Sequence, residues 1–493
     1  MAGQGKTLAQ LGLTAQGGAQ ADVTGLAVDS RAVRGGFLFA ALPGSRVHGG
    51  EFIQYALRQG AGAILTDGQG ARIAAAELAA SDAALIVVQD PRAALACAAA
   101  LWFGAAPKTI VAVTGTNGKT SVSSFTRQIW EALGHSAINL GTTGVEGSWT
   151  APLAHTTPEP ITLHRTLAGA AAAGVTHAAM EASSHGLDQR RLDAISLVAA
   201  GFTNFTQDHL EYHKTFEAYF AAKAGLFDRV LPEDGIAVIN IDDPRAADVA
   251  AIAEARGQAV LGVGRGAAAD LHLEAQRFEA TGQVLRFSWQ GEVHQLHIPL
   301  IGGFQGENLL LAAGLCIAGG DEPGRVFEAL PHMRTVRGRM QLAATRENGA
   351  AVFVDYAHTP DAVATAIQAL RPHVMGRLIA IVGAGGDRDP SKRPLMGQAA
   401  LHADHVIVTD DNPRSEDPAR IRAAVMQGCA GAQEVGDRAE AILRGVDALG
   451  PGDALLILGK GHETGQTVGD DVLPFDDTEQ ASVAVAALDG GMA

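Results

Sequence analysis

Between residues 113 and 121 the chain reads Val113-Thr114-Gly115-Thr116-Asn117-Gly118-Lys119-Thr120-Ser121. Two glycines, a lysine and a hydroxyl in that order suit a polyphosphate. Glycines let backbone N–H groups approach phosphate oxygens, Lys119 reaches the terminal phosphates, and the Thr120 hydroxyl offers an oxygen to Mg²⁺. The common phosphate loop, GxxxxGK[ST], spaces its glycines two residues wider, but the chemistry is the same. A nucleoside triphosphate is therefore the expected ligand. An apolar β-branched run, Thr109 to Val113, precedes the loop, and Val122-Ser123-Ser124-Phe125 follows it, so strand, loop and helix occur in the order such a site requires.

Further along stand Glu181-Ala182-Ser183-Ser184-His185-Gly186-Leu187, then Asn204-Phe205-Thr206-Gln207-Asp208-His209-Leu210, then Ala222-Lys223-Ala224-Gly225-Leu226-Phe227, and finally Asp355-Tyr356-Ala357-His358-Thr359-Pro360. Together with the TGTNGKT loop, these segments resemble the Mur ligase family, which activates a carboxylate with ATP and couples it to an amine. The resemblance implies that Glu181 and His209 help hold Mg²⁺, that Asn308 and Arg339 contact the nucleotide, and that Asp355 anchors it. Chemistry agrees in part: Mg²⁺ prefers oxygen, so Thr120 and Glu181 are natural ligands and His209 is a less obvious one. Lys223 lies between alanines before an apolar pair, where a buried amine has a depressed pKa and can take up CO₂. The resemblance implies a carbamate there that binds Mg²⁺ or supports the phosphate site. An unmodified surface lysine is the alternative.

Other motifs bear on the substrates. Asp29-Ser30-Arg31 and Val47-His48-Gly49 resemble the uridine-nucleotide-binding end of one branch of the family. Thr156, Thr157, Ser183, Gln189 and Arg191 resemble positions that hold the peptide and sugar portions of UDP-MurNAc-L-Ala-D-Glu, and hydroxyls with arginine suit anionic oxygens. Near the C-terminus, Gly385-Gly386-Asp387-Arg388-Asp389 and Asp411-Asn412-Pro413-Arg414 resemble the pattern associated with meso-diaminopimelate. By that resemblance Arg414 binds the distal carboxylate, Asp411 or Asn412 reads an amino group, and Gly459 and Glu463 of Gly459-Lys460-Gly461-His462-Glu463 contact the same end. Lysine lacks the second carboxylate, and a desolvated arginine left unpaired by it disfavours it. Arg339-Met340-Gln341 departs from the family pattern, because relatives often carry an acid near Gln341.

These residues need scaffolds on at least two sheets. Apolar strands are expected at Gly36 to Ala40, Ala63 to Leu65, Thr109 to Val113, Ala351 to Asp355, Leu378 to Gly383, His405 to Thr409 and Ala454 to Leu458, with helical crossovers between them. The expected architecture is α/β in three domains: a small uridine-nucleotide-binding α/β domain over 1–107, a central phosphate-loop ATPase domain with a mostly parallel sheet over 108–334, and a Rossmann-like amino-acid-binding α/β domain over 335–493. Ligands in such sheets sit outside the carboxyl ends of the strands.

Length and composition set outer bounds. The 493 residues, 47% hydrophobic and 18% charged, exceed one core and are too apolar for disorder. A formal charge of −16 disfavours a nucleic-acid partner. Cys97, Cys316 and Cys429 are widely separated, so buried thiols in a reducing cytoplasm are expected. No apolar run approaches the roughly 20 residues that span a bilayer, and the N-terminus lacks a signal-peptide core, so neither a membrane nor export is expected. A monomer is expected. Two rivals stay open: a relative that adds lysine or glutamate, including a folylpolyglutamate-type ligase, and a nucleotide-dependent switch that makes no acyl phosphate.

Overall fold

The computed structural model describes residues 5–44, 47–206, 208, 210–279 and 282–490. The strand before the phosphate loop, Thr109–Thr114, shows why that segment reads as an unbroken apolar run. Ile110 and Ala112 enter one core cluster while Val111 and Val113 enter another, so both faces are buried. The first face is covered by Pro160–Ala172 and Phe216–Gly225, the second by Lys119–Ala132 and Phe304–Ala318. In its 10-stranded sheet this strand runs parallel to His177–Glu181 on one side and Ala199–Phe202 on the other. Three carboxyl ends therefore open at the same edge. Gly282–Trp289 pairs antiparallel with Leu271–Glu279, and Glu292–Ile298 antiparallel with Gly282–Trp289, so the sheet is extended at its far side. Their short alternating runs were not singled out in the sequence.

The last sheet has six strands. Ala351–Asp355, Ala454–Leu458, Leu378–Val382 and His405–Val408 lie side by side and parallel, with Gln341–Thr345 antiparallel at the edge. Phe353, Leu456 and Leu458 point to one core, and Val352, Val354, Leu455 and Ile457 to the other. Near the N-terminus, Gly25–Ala27, Phe37–Ala40, Ala63–Thr66 and Ala84–Val87 form a small parallel sheet. Cys316 and Cys429 are buried thiols, but Cys97 is exposed, because helix Pro91–Phe103 buries Leu95, Ala96, Ala98 and Ala99 instead. Among the described residues no helix is long and apolar enough to cross a membrane.

One buried ion pair locks the C-terminal helix Asp477–Asp489 to the last sheet. Arg438 Nε and Nη2 donate to the two Asp477 carboxylate oxygens at 2.7 and 2.6 Å, and both side chains are 0% exposed. The same guanidinium donates to the carbonyls of Leu458, at the end of strand Ala454–Leu458, and of Asp410, just past the end of His405–Val408, two strands of that sheet separated by Leu378–Val382. Breaking such a pair strands a buried charge, at a cost of about 3–5 kcal/mol. Asp477→Ala is expected to lower the Tm of the C-terminal unit's transition by roughly 10 °C in a calorimetric scan. A shift of under about 2 °C would show that the pair contributes little.

Candidate functional site

The phosphate loop turns on glycines because nothing larger fits. Gly115 has φ 146°, and a Cβ there would lie 1.8 Å from Thr203 Oγ1; Gly118 has φ 86°, and its Cβ would lie 2.6 Å from Asn308 Oδ1. Asn308 thus packs from helix Phe304–Ala318 directly onto the loop. Thr203 and Asn204, beyond the neighbouring strand, hold it from the other side: Thr203 Oγ1 donates to Asn117 O at 2.6 Å, and Asn117 N donates to Asn204 Oδ1 at 2.9 Å. Thr116 donates through its hydroxyl to Thr206 O. Asn204 stood in a quoted motif without a role, and its position at a strand end was the available signal.

Lys119 is folded back, donating to Gly115 O at 2.9 Å and Thr116 O at 2.8 Å. Burial pulls its amine down from the ordinary lysine range and Arg339 adds to this, while Glu181 and Asp208 oppose it. Lys223 is 1% exposed, and its Nζ reaches the same Gly115 carbonyl at 2.6 Å, 4.6 Å from the Tyr219 ring centre. Burial first, and then the charge of Lys119, hold its amine well below the ordinary range, with Asp208 opposing. Two amines converge on one oxygen.

Glu181, 2% exposed at the end of its strand, accepts from Thr120 Oγ1 at 3.1 Å and from Thr142 N at 2.8 Å. Thr142, which sequence reading missed, also meets the Thr156 hydroxyl at 3.0 Å. Behind Glu181 the expected substrate residues form one network. Thr157 Oγ1 donates to Glu181 O and accepts from Ser183 N, Arg191 donates to Thr157 O and Gln189 Oε1, and Ser183 Oγ caps a short turn by accepting from Gly186 N. His209 lies outside the described residues.

From the last sheet, Arg339 Nη2 donates to Thr120 Oγ1 at 3.3 Å, and its guanidinium lies 4.6 Å from the Tyr356 ring centre. Asp355 uses one oxygen on Met340 N and the other on Ala357 N, so it ties the chain entering this unit to the strand end. Burial raises its carboxyl pKa, with Arg339 opposing. Gln341 Oε1 accepts from Gly338 N in the same turn. One cavity of 460 Å³ is lined by both units: by the loop from Thr116 through Ser121, Thr156, Glu181, Ser183, Lys223 and Asn308 on one side, and by Arg339, Asp355, Tyr356 and His358 on the other.

The remaining expected residues gather at the carboxyl ends of the last sheet. Arg414, at φ 52°, donates through Nη1 to Gly386 O at 2.7 Å; Arg388 is exposed nearby. Neither forms an ion pair among the described residues. Asn412 Nδ2 donates to Glu463 Oε2 at 2.9 Å, and Gly459 must be glycine because its Cβ would lie 2.4 Å from Asp411 Oδ2. Ser30 sits apart, in a turn capped by Asp29, and lines a 730 Å³ cavity with Val47, Phe39 and Tyr55.

Magnesium can be tested against these donors. Thr120 and Glu181 bring oxygens together beside the phosphate loop, and no cluster of three His, Cys, Asp or Glu side chains exists among the described residues. That set fits Mg²⁺, which takes one or two protein ligands and completes its shell with phosphate and water.

Three family models match the chain: "Mur ligase family, catalytic domain" over 22–102, "Mur ligase middle domain" over 113–316 and "Mur ligase, glutamate ligase domain" over 338–461. A UDP-N-acetylmuramoyl-L-alanyl-D-glutamate–2,6-diaminopimelate ligase of Bradyrhizobium diazoefficiens is 50% identical, covering 94% of this chain and 95% of its own. Its namesake in Caulobacter vibrioides is 48% identical over 95% and 96%. A solved structure bearing that name superposes with a TM-score of 0.70 at 34% identity, covering 95% of both chains. Mycobacterium tuberculosis folylpolyglutamate synthase complexed with ADP shares the fold, with a TM-score of 0.63 at 20% identity over 75% of this chain and 92% of its own.

Proposed function

The chain belongs to the Mur ligase family, and from this premise we propose that it adds meso-diaminopimelate to the D-glutamyl carboxylate of UDP-MurNAc-L-Ala-D-Glu. It is an ATP-dependent ligase of peptidoglycan precursor synthesis in the cytoplasm, forming ADP and phosphate. The observation that carries the reading is the shared cavity: a phosphate loop from one sheet and strand ends from another face the same space, so phosphoryl transfer and amide formation can occur at one acyl group.

In the first step the γ-carboxylate of the D-glutamyl residue attacks the γ-phosphorus of ATP, ADP leaves, and an acyl phosphate remains. Lys119 and Arg339 neutralise phosphate oxygens, and the loop's backbone N–H groups orient them. Thr120 and Glu181, with His209, would hold Mg²⁺, which supplies charge neutralisation at the phosphates. Asn308 supports the loop beneath the nucleotide. The network of Thr156, Thr157, Ser183, Gln189 and Arg191 holds the peptide end, and the cavity at Ser30 holds the uridine end. Diaminopimelate is held by Arg414, Arg388, Asp411 with Asn412, Glu463 and Gly459; its amine attacks the acyl carbon, phosphate departs, and the nitrogen releases a proton as the amide forms. The chain acts as a monomer.

Lys223 carries a carbamate in this reading. Two cationic amines sharing one buried carbonyl repel each other, whereas a neutral Lys223 amine reacts with CO₂ to give a carbamate and a proton. A ¹³C-bicarbonate experiment is expected to show a carbamate resonance that Lys223→Ala lacks. An identical spectrum for the two proteins would remove the assignment.

The functional test is phosphate release with ATP, Mg²⁺ and UDP-MurNAc-L-Ala-D-Glu, comparing meso-diaminopimelate with L-lysine and weighing the product. Release and tripeptide product with diaminopimelate alone is expected. Product with lysine would overturn the amino-acid assignment, and none with either would overturn the nucleotide-linked substrate.

A further inference from the structure

The amino-acid end of the site contains a buried cation that the expected residue set leaves out. Lys460, in the turn after strand Ala454–Leu458, is 0% exposed. Its Nζ donates to Asn412 Oδ1 at 2.9 Å and to Gly465 O at 2.8 Å, and it lies 3.9 Å from Asp411 Oδ1 and 3.7 Å from Glu463 Oε2. Asn412 Oδ1 also accepts from Thr467 N at 2.9 Å, while Asn412 Nδ2 donates to Glu463. An amide oxygen has two lone pairs, and both are taken.

We propose that Lys460 is the positioning residue that sets amino-acid recognition: it locks Asn412 as scaffold and leaves the carboxylates of Asp411 and Glu463 to receive the ammonium of the incoming amino acid. This rests on the ligase reading above. The reasoning is one of donors and acceptors. A substrate ammonium only donates, so it needs an open acceptor, and Asn412 has none. Asp411 and Glu463 carry the remaining oxygens. The Lys460 ammonium, 3.9 Å from Asp411 Oδ1 and 3.7 Å from Glu463 Oε2, also offsets the repulsion between those two acids. The exposed ribbon Gly465–Val468 and Asp471–Pro474 backs this arrangement: Gln466 Nε2 donates to Asp411 O at 2.6 Å, and Arg414 N donates to Thr467 O at 3.1 Å. Lys460 is thus tied to the ribbon on one side and to the recognition loop on the other.

The test uses the full-length enzyme and initial rates with each of the three substrates varied in turn. Lys460→Met keeps the stem and removes both donor and charge; it is expected to raise KM for the amino acid by about 30-fold while KM for ATP and for the nucleotide substrate stays within about threefold. Lys460→Gln still donates to Asn412 Oδ1 without the charge and should fall between Met and wild type. An unchanged amino-acid KM, or a rise in all three KM values together, would overturn the proposal. So would failure of both variants to fold, since the lysine would then be purely structural. If the wild type adds lysine rather than diaminopimelate, the functional reading fails, but the KM split is read on lysine, whose distal ammonium meets the same carboxylates.

Discussion

Lys119→Met is expected to abolish phosphate release and amide formation together, with kcat falling by about 10³-fold or more. Phosphoryl transfer leaves the protein little covalent work, so the positive charge at the γ-phosphate carries much of the rate. In the structure the Lys119 ammonium rests on Gly115 O and Thr116 O, two oxygens of the loop that must cradle the phosphates. Those carbonyls hold it at the mouth of the loop, a short swing from any phosphate there. Methionine preserves the stem and its packing, while the loop conformation depends on Gly115, Gly118 and their contacts to Thr203 and Asn308. The variant should therefore fold and still bind nucleotide, within about tenfold of wild type by calorimetry, because the backbone donors remain. Retention of kcat within about tenfold would show that Arg339 or Mg²⁺ carries the charge alone.

Arg414→Ala is expected to raise KM for diaminopimelate by about 100-fold and to leave KM for ATP unaltered. Its guanidinium is half-buried, held by Gly386 O, and forms no ion pair among the described residues, so its charge is available to a substrate carboxylate. The left-handed backbone at Arg414, φ 52°, is held by Arg414 N on Thr467 O and by Gly469 N on Arg414 O. Alanine at the same backbone conformation removes only the fork. Arg414→Lys should recover little, because a point charge does not reproduce two parallel donors. Discrimination should collapse as well: the variant's preference for diaminopimelate over lysine is expected to fall toward unity. A preference that survives Arg414→Ala would move carboxylate recognition to Arg388.

The two predictions differ in how far they could be read before the fold was known. The phosphate loop is local: a buried strand, two glycines and a helix start lie within a dozen residues, and those residue types alone restrict the backbone. Asp355 at a strand end, and Gly459 and Asp411 just past two others, were legible for a related reason, since unbroken apolar runs mark buried parallel strands and ligands collect at their carboxyl ends. Cys97, by contrast, was expected to be buried and is exposed, because an alanine-rich helix gives no apolar stripe that tells its faces apart. Lys223 between alanines reads by sequence alone more readily as a surface lysine, and only the fold put its amine against Gly115, 108 residues away. Asp411 and Asn412 could not be told apart as readers of an amino group, and only the fold shows that the Asn412 oxygen already accepts from Lys460 and Thr467. Thr142 carried no pattern at all. Sequence by itself determined the loop and the apolar parallel strands expected at its start and in the last sheet, because backbone conformation and apolar periodicity are written in neighbouring residues. Which side chains are buried, which polar groups are already satisfied and which charges remain for a substrate were decided only by tertiary structure, because burial and hydrogen-bond saturation are properties of contacts between segments far apart in the chain.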